Sequence, residues 1–202
     1  MVARPFDPAD GRVYPVRGDS GTGLRGTADD DMRYRLDVVA SGVVDVVRFA
    51  GGWLFDRAMA GWDVTVLLTD VSGRTDSRPL QILGARVLDL DEALASVGIR
   101  PKPQALAAAA DLFGCDSRVR RGVLHALDHG VTEVTLWGET WPAELDGSVG
   151  LVQHRLSTAA QIFKGQALSA AAVLHGSIAS VETFRSGLMA YPSVAADLIP
   201  AG

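Results

Sequence analysis

The chain has 202 residues, of which 48% are hydrophobic and 21% charged, and its 24 acidic and 19 basic side chains give a net charge of −5. This composition is ordinary for a globular domain, and the acidic balance argues against a general nucleic-acid coat, which needs basic side chains to neutralise phosphates. Cys115 is the single cysteine, which excludes an internal disulfide, and no apolar run approaches the roughly 18 residues of a membrane span, so we expect a soluble, cytoplasmic protein.

The chain is expected to contain one domain between two less regular ends. Residues 1–28 are rich in Gly, Pro and Asp and have little apolar periodicity, which predicts a flexible N-terminal arm. Residues 29–190 are predicted to form a single α/β domain with C-terminal helices, followed by a short tail over 191–202.

The first predicted element is a long amphipathic helix that starts near three consecutive aspartates, Asp29 to Asp31, which suit a helix N-terminus. Apolar residues then recur at steps of three and four, at Leu36, Val39, Val43, Val46, Ala50 and Trp53. The pair Gly51-Gly52 should kink or divide this helix. The alternative makes residues 34–40 a strand; the valines favour it, but it would place Asp37 inside the strand.

Strands are predicted in three regions. Gly61 ends the helix and precedes an apolar strand over 62–69, whose continuous apolar character indicates burial on both faces. A second extended region covers 80–90 with a break at Gly84, and a third strand covers 131–136.

The remaining segments are predicted to be helical. They are a short helix over 92–97 that starts at Asp91, two helices over 105–113 and 117–127, and a long Ala- and Ser-rich segment over 153–174. The expected fold class is therefore α/β, with a small, mostly parallel sheet of three or four strands covered by helices and an α-helical C-terminal portion.

Carboxylates follow the predicted strands and are the strongest candidates for chemistry. Asp70, Asp91 and Glu139 come after the three strands, and the carboxyl ends of parallel strands converge on one crevice. They are the catalytic candidates, whereas Asp70, Asp89 and Asp91 are the candidates for holding a divalent cation. Asp91 also fits a helix N-cap, and Asp is common in loops and caps for structural reasons alone.

Two other kinds of site are suggested by the sequence, a dinucleotide-binding turn and a DNA-binding helix-turn-helix. A dinucleotide site needs a glycine-rich turn after a strand, and the turn at 40–45 has only Gly42, so no cofactor-binding residue is assigned and the cofactor is left unknown. The helices at 107–113 and 117–127 resemble a helix-turn-helix in outline. Its outward-facing basic residues would be Arg118, Arg120 and Arg121.

The leading functional hypothesis is a non-enzymatic regulatory or adaptor domain, because no candidate for chemistry is diagnostic. It would bind a protein partner or self-associate through the arm and the small-residue C-terminal helices, and it would have no membrane association. The alternative is a small-ligand or nucleotide-binding protein or enzyme that uses strand-end carboxylates, with or without a divalent cation. The third hypothesis is helix-turn-helix-like DNA binding.

Overall fold

The fold is described from a computed structural model, in which residues 33–71, 75–96, 100–139, 141–187 and 197–201 are described. The chain divides into two compact units, residues 1–32 and 33–202, and all the described residues lie in the second. The expected N-terminal arm and the capping aspartates Asp29 to Asp31 lie outside the described residues.

The described residues form a single mixed sheet of eight strands. In chain order these are β1 (Arg35–Ala40), β2 (Asp63–Leu68), β3 (Arg86–Asp89), β4 (Ala105–Ala109), β5 (Glu133–Trp137), β6 (Val149–Arg155), β7 (Val181–Gly187) and β8 (Ile199–Pro200). Their order across the sheet is β3-β2-β1-β4-β5-β7-β6-β8. The first five in that order pair in parallel, and β7 inserts antiparallel between β5 and β6.

Helices cover both faces of this sheet. They are α1 (Val43–Met59), α2 (Arg78–Ile82), α3 (Leu90–Ala95), α4 (Ala110–Cys115), α5 (Ser117–His129) and α6 (Thr158–Ala170), with a 3-10 turn at Ala143–Leu145. Helices α1, α2 and α6 pack on one another, whereas α5 contacts β4 and β5. Because strand–helix–strand connections are right-handed, helices before and after the reversal of strand order lie on opposite faces.

Residues 34–40 do not belong to a helix, so the favoured prediction for this segment was wrong. They contain β1, a central strand that pairs with β2 on one side and β4 on the other. Its valines are buried, and Asp37, which argued against a strand, is accommodated by a hydrogen bond of 2.9 Å from Arg100 Nη2. Burial raises the pKa of Asp37 despite that partner. The helix that follows begins only at Val43.

The predicted small sheet of three or four strands was also wrong. Residues 105–109, predicted as helix from their alanines, form β4, and Ala107 and Ala108 are fully buried there. Small side chains let helices approach a central strand closely, so burial overrides helix propensity. The predicted helix over 153–174 divides into the end of β6 and helix α6, and the predicted extended region at 80–90 begins with α2.

No helix within the described residues is both long enough and apolar enough to cross a bilayer. The core instead follows the sheet, and its largest fully buried side chains include Trp53, Trp137 and Phe184.

Candidate functional site

A pocket lies at the carboxyl edge of the sheet, where the strand order reverses. After β1 the chain crosses to β2 and β3 on one side, and it later returns to β4 and β5 on the other. Loops leaving neighbouring strands in opposite directions open a crevice at such a point. The pocket there has a volume of about 230 Å³. It is lined by Asp45, Arg48, Phe49, Ala109, Asp111, Trp137, Gly138 and Glu139.

Asp45 is the best-placed ionisable group in this pocket. It lies in the first turn of α1, whose N-cap residue Gly42 makes no side-chain cap, so the helix N-terminus favours its negative charge. Its Oδ2 accepts a hydrogen bond of 3.0 Å from the indole Nε1 of Trp137. Burial raises the pKa of Asp45, and nearby Asp111 raises it further, while Trp137 and Arg48 act in the opposite direction.

The neighbours of Asp45 come from the same helix and from α4, which follows β4 directly. Asp111 is in the first turn of α4, where its Oδ1 accepts a hydrogen bond of 2.9 Å from the amide of Leu112. Arg48 and Phe49 follow Asp45 on α1 and add a guanidinium group and an aromatic ring to the lining. A carboxylate pair beside a single cation is an arrangement suited to proton transfer.

The far side of the pocket is formed by the end of β5. Trp137 is the last residue of that strand and is only 1% exposed. Gly138 has φ 147°, a backbone conformation that favours glycine, and this turn leads to the exposed Glu139 at the rim. The chain reversal at Gly138 therefore places an indole donor and a carboxylate on the same pocket.

The predicted catalytic carboxylates do not meet at one place. Glu139 lines the pocket, whereas Asp70 is exposed after β2 and is not part of its lining. Asp89 is the N-cap of α3, accepting hydrogen bonds from the amides of Asp91 and Glu92, so the expected cap at Asp91 is displaced by two residues. Asp91 forms an ion pair with Arg118.

Acidic side chains in the described part of the chain do not form a metal centre. There, no group of three or more His, Cys, Asp or Glu residues could hold a metal ion, and this covers Asp70, Asp89 and Asp91 as well as the pocket carboxylates. The divalent-cation candidates Asp70, Asp89 and Asp91 therefore belong to no such group.

The proposed helix-turn-helix does not match the fold. Its first helix is the six-residue α4, which continues directly from β4, and its second helix, α5, packs on the sheet. Arg118 is paired with Asp116, with 2.6 Å between Nη2 and Oδ2, and Arg120 lies 2.7 Å from Glu144 Oε2. Arg121 lines a shallow groove along α5. The charges expected to contact DNA are thus largely compensated within the protein.

The sequence predictions gave no site role to Asp45, Arg48 or Asp111. Asp45 and Arg48 seemed to lie on the outer face of a long helix, because residues 34–40 were assigned to that helix. With 34–40 as a strand, Ser41-Gly42 becomes the turn after it, and Asp45 falls in the first helical turn at the sheet edge. The valines of residues 34–40 were the sequence signal that favoured this strand, and with it the position of Asp45 at the sheet edge.

Comparison with known proteins was made for family, sequence and fold. No family model matches the chain, and no curated protein matches it. Several solved structures share the fold, among them the three described below. The likeness is one of architecture alone, because the identities lie between 13% and 17%.

The three structures are of enzymes. The A40926 pseudoaglycone deacetylase is 17% identical over 68% of this chain and 81% of its own, with a TM-score of 0.51. A triple mutant of a deacetylase involved in the teicoplanin biosynthetic pathway is 14% identical over 79% and 100%, with a TM-score of 0.53. The 4-carboxy-2-hydroxymuconate hydratase GalB from Pseudomonas putida is 13% identical over 80% and 98%, with a TM-score of 0.50.

These neighbours correct the leading functional hypothesis. A non-enzymatic regulatory or adaptor domain was expected, and that expectation was wrong, because the three similar structures described above are two deacetylases and a hydratase. The findings favour the alternative, a ligand-binding or enzymatic domain that uses strand-end carboxylates. A protein partner or self-association stays a prediction.

Proposed function

We propose that this protein is an enzyme that activates water for addition to a small substrate, with Asp45 as the general base. The observation that carries the proposal is the environment of Asp45. It is a carboxylate at the switch point of a parallel sheet, fixed by an indole donor, with a pKa raised mainly by burial. A raised pKa brings a carboxylate closer to the operating pH, which makes it a better base.

The residues of the pocket supply the other parts of such a reaction. Trp137 engages Oδ2 of Asp45, so Oδ1 is the oxygen that takes a proton from the attacking water. The resulting hydroxide attacks the substrate carbon, and Arg48 stabilises the negative charge that develops on the acceptor oxygen. In a hydrolysis, the proton held by Asp45 then passes to the leaving group, and in a hydration it passes to the carbon next to the one attacked; either transfer restores the carboxylate.

The reaction types of the structural neighbours are consistent with this chemistry. A deacetylase and a hydratase differ in substrate, but both consume a molecule of water. The pocket volume of about 230 Å³ restricts the group held next to Asp45 to a small one. An acetyl or similarly small acyl group fits this limit, so hydrolytic deacylation is tested first.

The experiment is an activity screen with a matched pair of variants. Purified protein is incubated with N-acetylated and O-acetylated compounds, and released acetate is measured; an unsaturated carboxylic acid is included to detect hydration. Asp45→Asn is expected to lower the rate by about 10²–10⁴-fold, the usual contribution of a general base. Asp70→Asn is the control, since Asp70 also follows a strand but does not line the pocket.

Two outcomes contradict the proposal. One is the absence of acetate release and hydration over the whole panel. The other is an active protein in which Asp45→Asn has the same rate as the wild type, or in which Asp70→Asn loses as much activity as Asp45→Asn.

A further inference from the structure

A buried ion pair lies against the middle of α1, next to the candidate site but outside it. Lys164 of α6 is 6% exposed and Glu182 of β7 is 5% exposed. The distance between Lys164 Nζ and Glu182 Oε1 is 2.6 Å. Neither side chain lines the pocket of Asp45.

Both members of the pair bind the main chain of α1. Glu182 accepts hydrogen bonds from the amides of Gly52, at 2.9 Å, and Trp53, at 2.8 Å. Lys164 Nζ donates to the carbonyl oxygen of Arg48 at 2.7 Å. In a regular α-helix the amide of residue 52 donates to the carbonyl of residue 48. The ion pair therefore binds both the amide of Gly52 and the carbonyl of Arg48, the two groups that would bond to each other in a regular helix.

Of the two adjacent glycines of α1, Gly52 is the one at which a side chain would crowd the ion pair. A Cβ atom at Gly52 would lie 3.2 Å from Glu182 Oε1, and one at Gly51 would lie 3.6 Å from Lys164 Cγ. The Gly51-Gly52 pair was expected to kink or divide the helix, yet α1 continues from Val43 to Met59. The glycine pair does not divide the helix, and Gly52 leaves room for Glu182 beside it.

Stability alone does not account for a buried pair of this kind. Removing two charges from water costs several kcal/mol per ion, and well-packed apolar residues of similar size are often as stable. Charged groups add directional hydrogen bonds, which fix the positions of specific main-chain atoms. Here those atoms belong to the turn that also carries the side chain of Arg48 into the pocket.

We infer that Lys164 and Glu182 are positioning residues, which set the first turns of α1 so that Asp45 and Arg48 face Trp137. The connection runs along two elements. Lys164 holds the carbonyl of Arg48, three residues after Asp45. Glu182 lies on β7, the strand that pairs with β5 at Leu136, the residue before Trp137. The inference rests on the proposed function only in treating these side chains as a site.

The hydrogen bond between Trp137 and Asp45 provides a direct spectroscopic reporter. The indole N–H resonances of the full-length protein are recorded in ¹H–¹⁵N spectra, and Trp137→Phe assigns the relevant signal. Asp45→Ala shows how far that signal moves when the bond is lost. Lys164→Met and Glu182→Gln are each expected to move it in the same direction, at temperatures where the variants are folded.

A destabilised variant elsewhere separates positioning from simple loss of stability. Leu90→Ala removes a buried side chain from α3, which contributes nothing to the site, and is expected to lower the unfolding midpoint without moving the Trp137 signal. Lys164→Arg, which retains the charge and the donor, is expected to restore much of the wild-type position. If Lys164→Met does not fold, Glu182→Gln, which keeps the shape of the side chain, decides the question.

The inference is overturned if the Trp137 signal keeps its wild-type position in Glu182→Gln, whether or not the unfolding midpoint falls. Because this readout requires no turnover, it stands apart from the test of the enzyme proposal. A protein without activity whose Trp137 signal moves in Lys164→Met and Glu182→Gln would refute the proposed function and keep the positioning role.

Discussion

Replacing Gly52 by alanine should destabilise the protein, although alanine is the better helix former. A Cβ atom at this position would lie 2.1 Å from Leu156 Cδ2 and 2.5 Å from its Cγ. Leu156 is only 4% exposed, so its side chain has to adopt a strained conformation inside the core. Overpacking of this kind costs about 1–3 kcal/mol, against a helix gain of about 1 kcal/mol. We expect a net loss of up to about 2 kcal/mol.

Urea denaturation followed by circular dichroism measures this loss. Gly51→Ala is the matched control, because its Cβ would meet the end of the Leu83 side chain at 3.2 Å, a contact that a small shift relieves. We expect Gly51→Ala to be no less stable than the wild type. In addition, Gly52→Ala should cost less in a Leu156→Ala background, since neighbours in contact couple by about 0.5–3 kcal/mol. A Gly52→Ala protein that equals or exceeds the wild type in free energy of unfolding would refute the packing argument.

Three further outcomes follow from single carboxylates. Burial raises the pKa of Asp45. Its stabilising contribution is therefore present below the unfolded-state pKa and is lost as the pH rises through the folded-state pKa. Asp45→Asn should consequently unfold at a higher urea concentration than the wild type at pH 7. Asp89→Ala should cost about 1 kcal/mol through loss of the α3 cap, and Asp91→Ala clearly less, as measured by the same denaturation. Hydrogen bonding from Arg118 lowers the pKa of Asp116 to about 2, so the contribution of Asp116 is present above the ordinary carboxyl pKa and is lost as pH falls toward 2. A carboxyl ¹³C titration of Asp116 checks this value, and Arg118→Met should raise it.

The parts of the fold that the sequence predicted are those with a single dominant signal. The apolar run over 62–69 is strand β2, and the segment at 131–136 corresponds closely to β5. In both, β-branched and apolar residues agree with burial on two faces. The α5 helix likewise has a polar face, an aspartate cap at Asp116 and a left-handed Gly130 at its end. Local preference and tertiary environment agree in these segments.

The errors arose where local preference and environment disagree. Alanines over 105–109 favour a helix in isolation, but in a central strand they leave room for packed helices on both faces. Residues 34–40 contain an aspartate that strands disfavour, and its partner Arg100 lies 63 residues further along the chain. No local sequence pattern contains such a partner. The same holds for sheet order, because β7, which pairs with β5, is also distant from it in sequence.

The site was found only in part for the same reason. Glu139 follows a recognisable strand and lines the pocket. Asp45 could be recognised as a site candidate only once the preceding segment was known to be a strand. Asp111 could be recognised only once residues 105–109 were known to form a strand. The bond from Trp137 to Asp45 joins residues 92 positions apart and depends on the strand order.

The pH dependence of kcat/KM for a compound that the protein turns over tests the central claim most directly. If Asp45 is the base, the wild-type profile rises through one ionisation with a pKa above the ordinary value for aspartate, about 3.9. Since the indole hydrogen bond lowers the pKa of Asp45, Trp137→Phe should move the rise to higher pH. A profile that keeps the same midpoint in Trp137→Phe, or that survives intact in Asp45→Asn, would contradict the assignment.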